Sequence, residues 1–126
     1  MLTLRVLEGL FTVHRFAADR QVPAAVYASK FYNISRTSEE LSIVCDDAIK
    51  LDSAKAETGW SCIKVVGPLD FGLTGILAAV ATPLAEAEVS IFAISTFDTD
   101  YILVKGKKLP LARRILEAAG HSFREQ

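Results

Sequence analysis

From residue 10 to residue 16 apolar and polar positions alternate, with Phe11, Val13 and Arg15 on one face and Leu10, Thr12, His14 and Phe16 on the other. A period of two predicts a strand. Residues 17–21 loosen the pattern, and because Pro23 suits a first helical position, residues 23–30 read either as a short helical turn or as an irregular connection. Strand character resumes over 31–36 and, after a turn at 37–40, over 41–45, where Ile43, Val44 and Cys45 are apolar. Residues 46–59 are more polar and make the best boundary, which divides the chain into modules at 1–58 and 59–126.

The second half reads as strand 60–66, helix about 74–87, strand 89–97, a turn at Asp98 and Thr99, strand 100–105, helix about 109–119 and a short strand at 121–123. That order is βαββαβ. It predicts an α+β fold, a ferredoxin-like antiparallel sheet covered on one face by two helices, and the first half repeats part of the order. Pro83 falls inside the first helix, where it lacks an N–H and crowds the carbonyl of Ala79, so a kink or an early end is expected. Strand 89–97 is apolar on both faces, with Ile91 and Ala93 alternating with Phe92 and Ile94, and needs cover on both. Helices supply one side; another module or subunit would supply the other.

With 126 residues, 51% of them hydrophobic, the chain supports a stable core without staples. Its 14 basic and 15 acidic side chains are interspersed, which gives no basic face for nucleic acid or an anionic membrane. Neither a secretion signal nor a membrane span is legible, and a cytoplasmic protein is expected. Cys45 and Cys62 stand alone in apolar runs, and His14 and His121 lie far from any Cys pair, so the spacing offers no metal site, no disulfide framework and no cofactor motif. His14 as a general base or Cys45 as a nucleophile would each need a partner that no signature places. Catalysis is not expected.

The sharpest local feature is GPLDFGLTGIL, residues 67–77, where an apolar strand enters a helix through a loop carrying Gly67, Pro68, Gly72 and Gly75. Glycines permit close backbone approach, and the first amides of a helix lack intrahelical partners at the positive end of its dipole. Such a loop suits a carboxylate or phosphate. It has no Walker lysine and no GxGxxG, which makes a nucleotide a poor candidate. The plainer alternative is that Asp70 and Thr74 cap the helix and the glycines only shape a turn.

Residues 65–105, through this loop and through Ser95-Thr96-Phe97-Asp98-Thr99-Asp100, resemble the ACT domain, specifically the paired ACT-like modules of small bacterial proteins similar to the cytosolic arginine sensors of animals. The first half matches loosely, through FYNISRTSEELSIVCDD. Glu88 stands where that family's pattern has a glycine. The resemblance implies two ACT-like modules that associate through their sheets and hold an amino acid where modules meet. On that basis Gly72, Leu73, Thr74 and Gly75 would offer amides or a hydroxyl to an α-carboxylate. The segment matching the sensors' ligand contact gives Thr96, Phe97, Thr99 and Asp100, with the Asp100 carboxylate set to receive an ammonium group. Turn chemistry is the commoner fate of such residues. Asp70 completes the loop, and Phe71 and Phe97 are candidate pocket walls, although core packing explains either alone. The expected protein is a non-catalytic amino-acid sensor, a homodimer with an unidentified protein partner. The rival is a dimerisation module without a ligand.

Overall fold

The first strand of the protein, β1 (Thr3–Val6), is one that the hydrophobic pattern leaves unassigned. It is too short for a period of two to stand out, and it exists because strands flank it on both sides. In a computed structural model, which describes residues 1–67 and 74–125, the other strands are β2 (Phe11–Phe16), β3 (Asn33–Arg36), β4 (Leu41–Asp46), β5 (Lys55–Val65), β6 (Phe92–Ser95), β7 (Asp100–Lys105) and β8 (Ser122–Phe123). The helices are α1 (Ile76–Glu86) and α2 (Leu109–Ala118), and 3-10 turns occupy Ala24–Ala28 and Gly106–Lys108. Contacts group the chain into one unit of Gly9–Trp60 and another of Met1–Glu8 with Ser61–Gln126. The sequence boundary at residues 58 and 59 would assign residues 1–8 to the first module; β1 lies instead in the later unit, because its backbone pairs with β5 and β8.

In the earlier unit the strands lie in the order β3, β4, β2, β5, all neighbours antiparallel. Phe16, Val26, Leu41, Ile43 and Cys45 form its core, and the 3-10 turn that carries Val26 settles the alternative left open over residues 23–30. β5 begins at Lys55, inside the polar stretch read as a boundary. Lys55 to Thr58 are exposed, so composition hides a strand that the β2 ladder makes. That ladder sets Phe11 against Trp60 and Val13 against Glu57, which leaves an extra residue on β5. Gly59 absorbs it in a left-handed conformation at φ 76, as a bulge requires.

The later unit has the α+β, ferredoxin-like order expected, with sheet neighbours β6, β7, β5, β1, β8 and β1 inserted between β5 and β8. Leu4, Ile63, Val65, Ile102 and Val104 of the strands pack on Val80, Leu84, Ala112 and Leu116 of the helices. Burying each large member stabilises the fold by about 1.5–3 kcal/mol. Because side chains alternate along a strand, Arg5, Lys64 and Tyr101, each beside one of those core residues, lie on the face away from the helices. β6 is shorter than the expected 89–97, since its pairing with β7 covers Phe92 to Ser95 only.

α1 runs past Pro83 to Glu86, so the early end does not occur. Pro83 cannot donate to the Ala79 carbonyl, four residues back. His121 does so instead: its Nε2 donates to Ala79 O at 3.0 Å, while its Nδ1 accepts the Leu2 N–H at 3.1 Å, which fixes the tautomer. Past the helix end, Glu88 N–H donates to Ala85 O at 2.9 Å and Val89 N–H to Leu84 O at 2.9 Å, the paired bonds of a Schellman motif. Val89 and Leu84 both sit in the core, which supplies the apolar contact that accompanies the motif. Glu88 occupies its left-handed position at φ 61, the conformation for which the family pattern keeps a glycine. α2 closes in the same way with Gly120 at φ 101.

A β-carbon in the left-handed region costs about 1–2 kcal/mol, partly offset by the extra freedom glycine gives the unfolded chain. Glu88→Gly is therefore expected to stabilise the protein by roughly 0.5–1 kcal/mol, seen as a higher urea midpoint with an unchanged slope.

Candidate functional site

The N-terminus of α1 is built on a glycine. Gly75 holds the N-cap position at φ 75 and ψ 5, so it offers no capping oxygen, and the first turn contains no acidic residue. Its carbonyl accepts the Ala79 N–H at 2.9 Å, which starts the helical ladder and leaves the amides before Ala79 without intrahelical partners. Thr74 is exposed at this end. Asp70, Phe71, Gly72 and Leu73, the rest of the predicted loop, lie outside the described residues.

The second predicted segment is the connection from β6 to β7. Thr96 N–H donates to Thr99 O at 2.9 Å, and the Thr96 hydroxyl donates to that carbonyl at 3.1 Å while accepting the Thr99 N–H at 3.4 Å. Thr99 is 4% exposed, and its hydroxyl donates to the carbonyl of Val65 at 2.6 Å. This bond joins motifs 34 residues apart, because Val65 ends β5 immediately before the glycine-rich loop. Ser95 stands opposite Asp100 in the ladder, and its hydroxyl donates to Asp100 Oδ1 at 2.6 Å. Asp100 is half-buried, and Phe97 at the tip is 78% exposed.

Thr96 and Thr99 thus spend their hydroxyls on the turn and on its anchorage, whereas Asp100 presents a carboxylate oriented by Ser95. Sequence reasoning passed over Ser95 and Val65. The Ser95 contact follows once the hairpin register sets it against Asp100; the Val65 contact runs through a backbone carbonyl and has no signature in residue type.

His14 and Cys45 belong to the earlier unit. His14 is buried, its Nδ1 lies 2.9 Å from Ser53 Oγ, and burial pushes its pKa below the ordinary 6.5 although Asp47 pulls the other way. The Cys45 thiol is pushed up by burial and further by Asp46 and Asp47, which suppresses the thiolate. Asp47 accepts from the Thr12 hydroxyl and from Gly59 N–H at 3.3 Å, and so clamps the β5 bulge. Among the described residues no three His, Cys, Asp or Glu side chains cluster as a metal site, and no helix is long and apolar enough to cross a membrane.

A family model described as an ACT domain matches residues 55–118, and another described as an N-terminal domain matches residues 9–50. The human putative protein CASTOR3P is 30% identical over 102 residues, covering 71% of this chain and 63% of that protein. The cytosolic arginine sensor for mTORC1 subunit 1 of Bos taurus is 30% identical over 107 residues, covering 76% of this chain and 32% of that protein. The chain therefore spans less than two thirds of the first of these relatives and about a third of the second. A crystal structure of a protein from Agrobacterium tumefaciens matches with a TM-score of 0.92 and 37% identity, covering 99% of this chain and 93% of that one. The ligand-free regulatory subunit of aspartate kinase from Thermus thermophilus shares the fold, with a TM-score of 0.64 and 9% identity over 92% of this chain and 96% of that one.

Replacing Thr99 with Val keeps its shape and removes its donor. Thr99→Val is expected to cost about 1–3 kcal/mol in denaturant unfolding by leaving the buried Val65 carbonyl unsatisfied, while Thr99→Ser retains most of the stability. Burial disfavours the charged form of His14 in the folded state, so below pH 6.5 the unfolded chain takes up its proton first. Stability contributed by neutral His14 is complete above that pH and is lost as the pH falls through the lower folded-state pKa. Unfolding free energy measured across this window is expected to slope downward toward acid in the wild type and less steeply in His14→Gln.

Proposed function

The chain belongs to the ACT-domain family, and from that premise we propose that it is a regulatory protein that binds a free amino acid without catalysis. The observation that carries this reading is the Thr99–Val65 bond, which ties the acidic turn to the strand end that enters the glycine-rich loop. An α-carboxylate has the amides at the start of α1, which lack intrahelical partners, as its natural partners. An ammonium group, or a basic side chain, has Asp100, held by Ser95. A turn anchored to the end of β5 suits a ligand that carries an ammonium group and a carboxylate on one carbon, with the ammonium group on Asp100. Relatives named as cytosolic arginine sensors support an amino acid as the ligand class and the cytoplasm as the location.

In this reading the protein is a homodimer, the ligand sits where ACT modules of the assembly meet, and the loop residues Asp70, Phe71, Gly72, Leu73, Thr74 and Gly75 act with Thr96, Phe97, Thr99 and Asp100. Signalling follows from linkage: the ligand favours whichever module arrangement binds it more tightly, and a protein partner reads the arrangement.

A thermal-shift screen against the twenty amino acids tests the proposal. A ligand at 100 times its dissociation constant adds about 2.7 kcal/mol, which raises the midpoint by on the order of 10 °C for a chain of this size. One amino acid, or a chemically related few, is expected to give the shift, and Asp100→Ala is expected to abolish it without lowering the ligand-free midpoint. No response to any of them, from a protein that is dimeric by light scattering, would replace the sensor with a dimerisation module.

A further inference from the structure

The face of the later unit away from the helices carries charged groups that the amino-acid reading does not use. Arg5 on β1 stands directly opposite Lys64 on β5 in the antiparallel ladder. Like charges across a ladder repel, and nothing in strand formation asks for them. Neither has a carboxylate ion-pair partner among the described residues. Arg5 Nε is moreover buried and makes no hydrogen bond. A desolvated donor of a guanidinium is a costly group to leave unpaired.

The neighbouring strand holds the pair in place. Lys64 Nζ lies 5.9 Å from the centroid of the Tyr101 ring, a cation–π contact that fixes the ammonium over the sheet. Burial pushes the Tyr101 phenol up, with Cys62 and Asp98 adding to the push and Arg5 opposing it, which places the Arg5 charge in the same group. Asp98 acts on Tyr101, and it forms no ion pair with Arg5 or Lys64.

We propose that Arg5 and Lys64, with Lys64 steadied on the Tyr101 ring, form a binding site for a small oxyanion, a carboxylate or phosphate group, on the sheet face away from the helices. The planar guanidinium supplies paired donors matched to two oxygens, and the ammonium adds a compact charge from the adjacent strand. An anion there turns the repulsion across the ladder into attraction to a shared centre and satisfies Arg5 Nε. The site uses neither the Asp100 carboxylate nor any residue of the glycine-rich loop.

The test follows the melting of the full chain with sodium phosphate or sodium succinate against sodium chloride at equal ionic strength. The wild type is expected to melt at least ~5 °C higher with one or both oxyanions, and the effective salt tells phosphate from carboxylate. Arg5→Gln and Lys64→Met are each expected to lose that response yet melt in chloride at or above the wild-type temperature, because one of two opposed cations is gone. Asp100→Ala is expected to keep the full response, which separates this site from the amino-acid site. Calorimetric titration of the wild type with inorganic phosphate and with succinate reads binding even where a variant folds poorly. The proposal is overturned if both oxyanions act like chloride and give no binding heat, if the shift survives in both cation variants, or if Asp100→Ala removes it.

Discussion

Pairing of β1 with β5 in the register that sets Leu4 against Val65 is the constraint on which the later unit depends. Leu4, Ile63 and Val65 enter the core beneath α1 and α2 only in this alignment, and Arg5 and Lys64 then face each other on the opposite side. A slip of one residue would turn every side chain of β1 over and drive Arg5 into the helix-covered core. The same strand end carries the carbonyl that accepts the Thr99 hydroxyl. Core, turn anchorage and the opposed cations are therefore consequences of one ladder.

Around that ladder, departures from helix rules are compensated from a distance. Pro83 deprives the Ala79 carbonyl of a donor, and His121 supplies one from beyond the end of α2 while its other nitrogen accepts from Leu2. One imidazole thus joins the start of the chain, α1 and the segment before β8. Glu88 makes the opposite kind of exception. It keeps the left-handed geometry and both bonds of the helix cap while bearing the strain of a β-carbon, because Val89 and Leu84 bury together and hold the chain in place.

The amino-acid reading and the anion reading rest on different physics. The first relies on dipoles and one carboxylate at the ends of elements, where backbone groups are unpaired as a matter of helix and hairpin geometry. The second relies on side chains from the middle of paired strands, where nothing in the fold requires a charge. Asp100 is oriented by a hydroxyl partner, whereas the opposed cations meet no carboxylate among the described residues.

Residue pattern alone determined the α+β order of the later unit, the two helices to within a few residues, and the turn at Asp98 and Thr99, because periods of 3.6 and 2 report burial directly. Resemblance to the ACT domain added a family and a candidate loop and turn. Tertiary structure decided what depends on partners distant in sequence. β1 is a strand because β5 and β8 flank it, and Lys55 to Thr58 belong to β5 because Gly59 bulges and β2 pairs with them. It also decided that Thr99 anchors its turn through the Val65 carbonyl and that Arg5 meets Lys64. Register is invisible to composition, since a strand carries the same pattern whichever neighbour it meets. It is the meeting that assigns each side chain its chemistry.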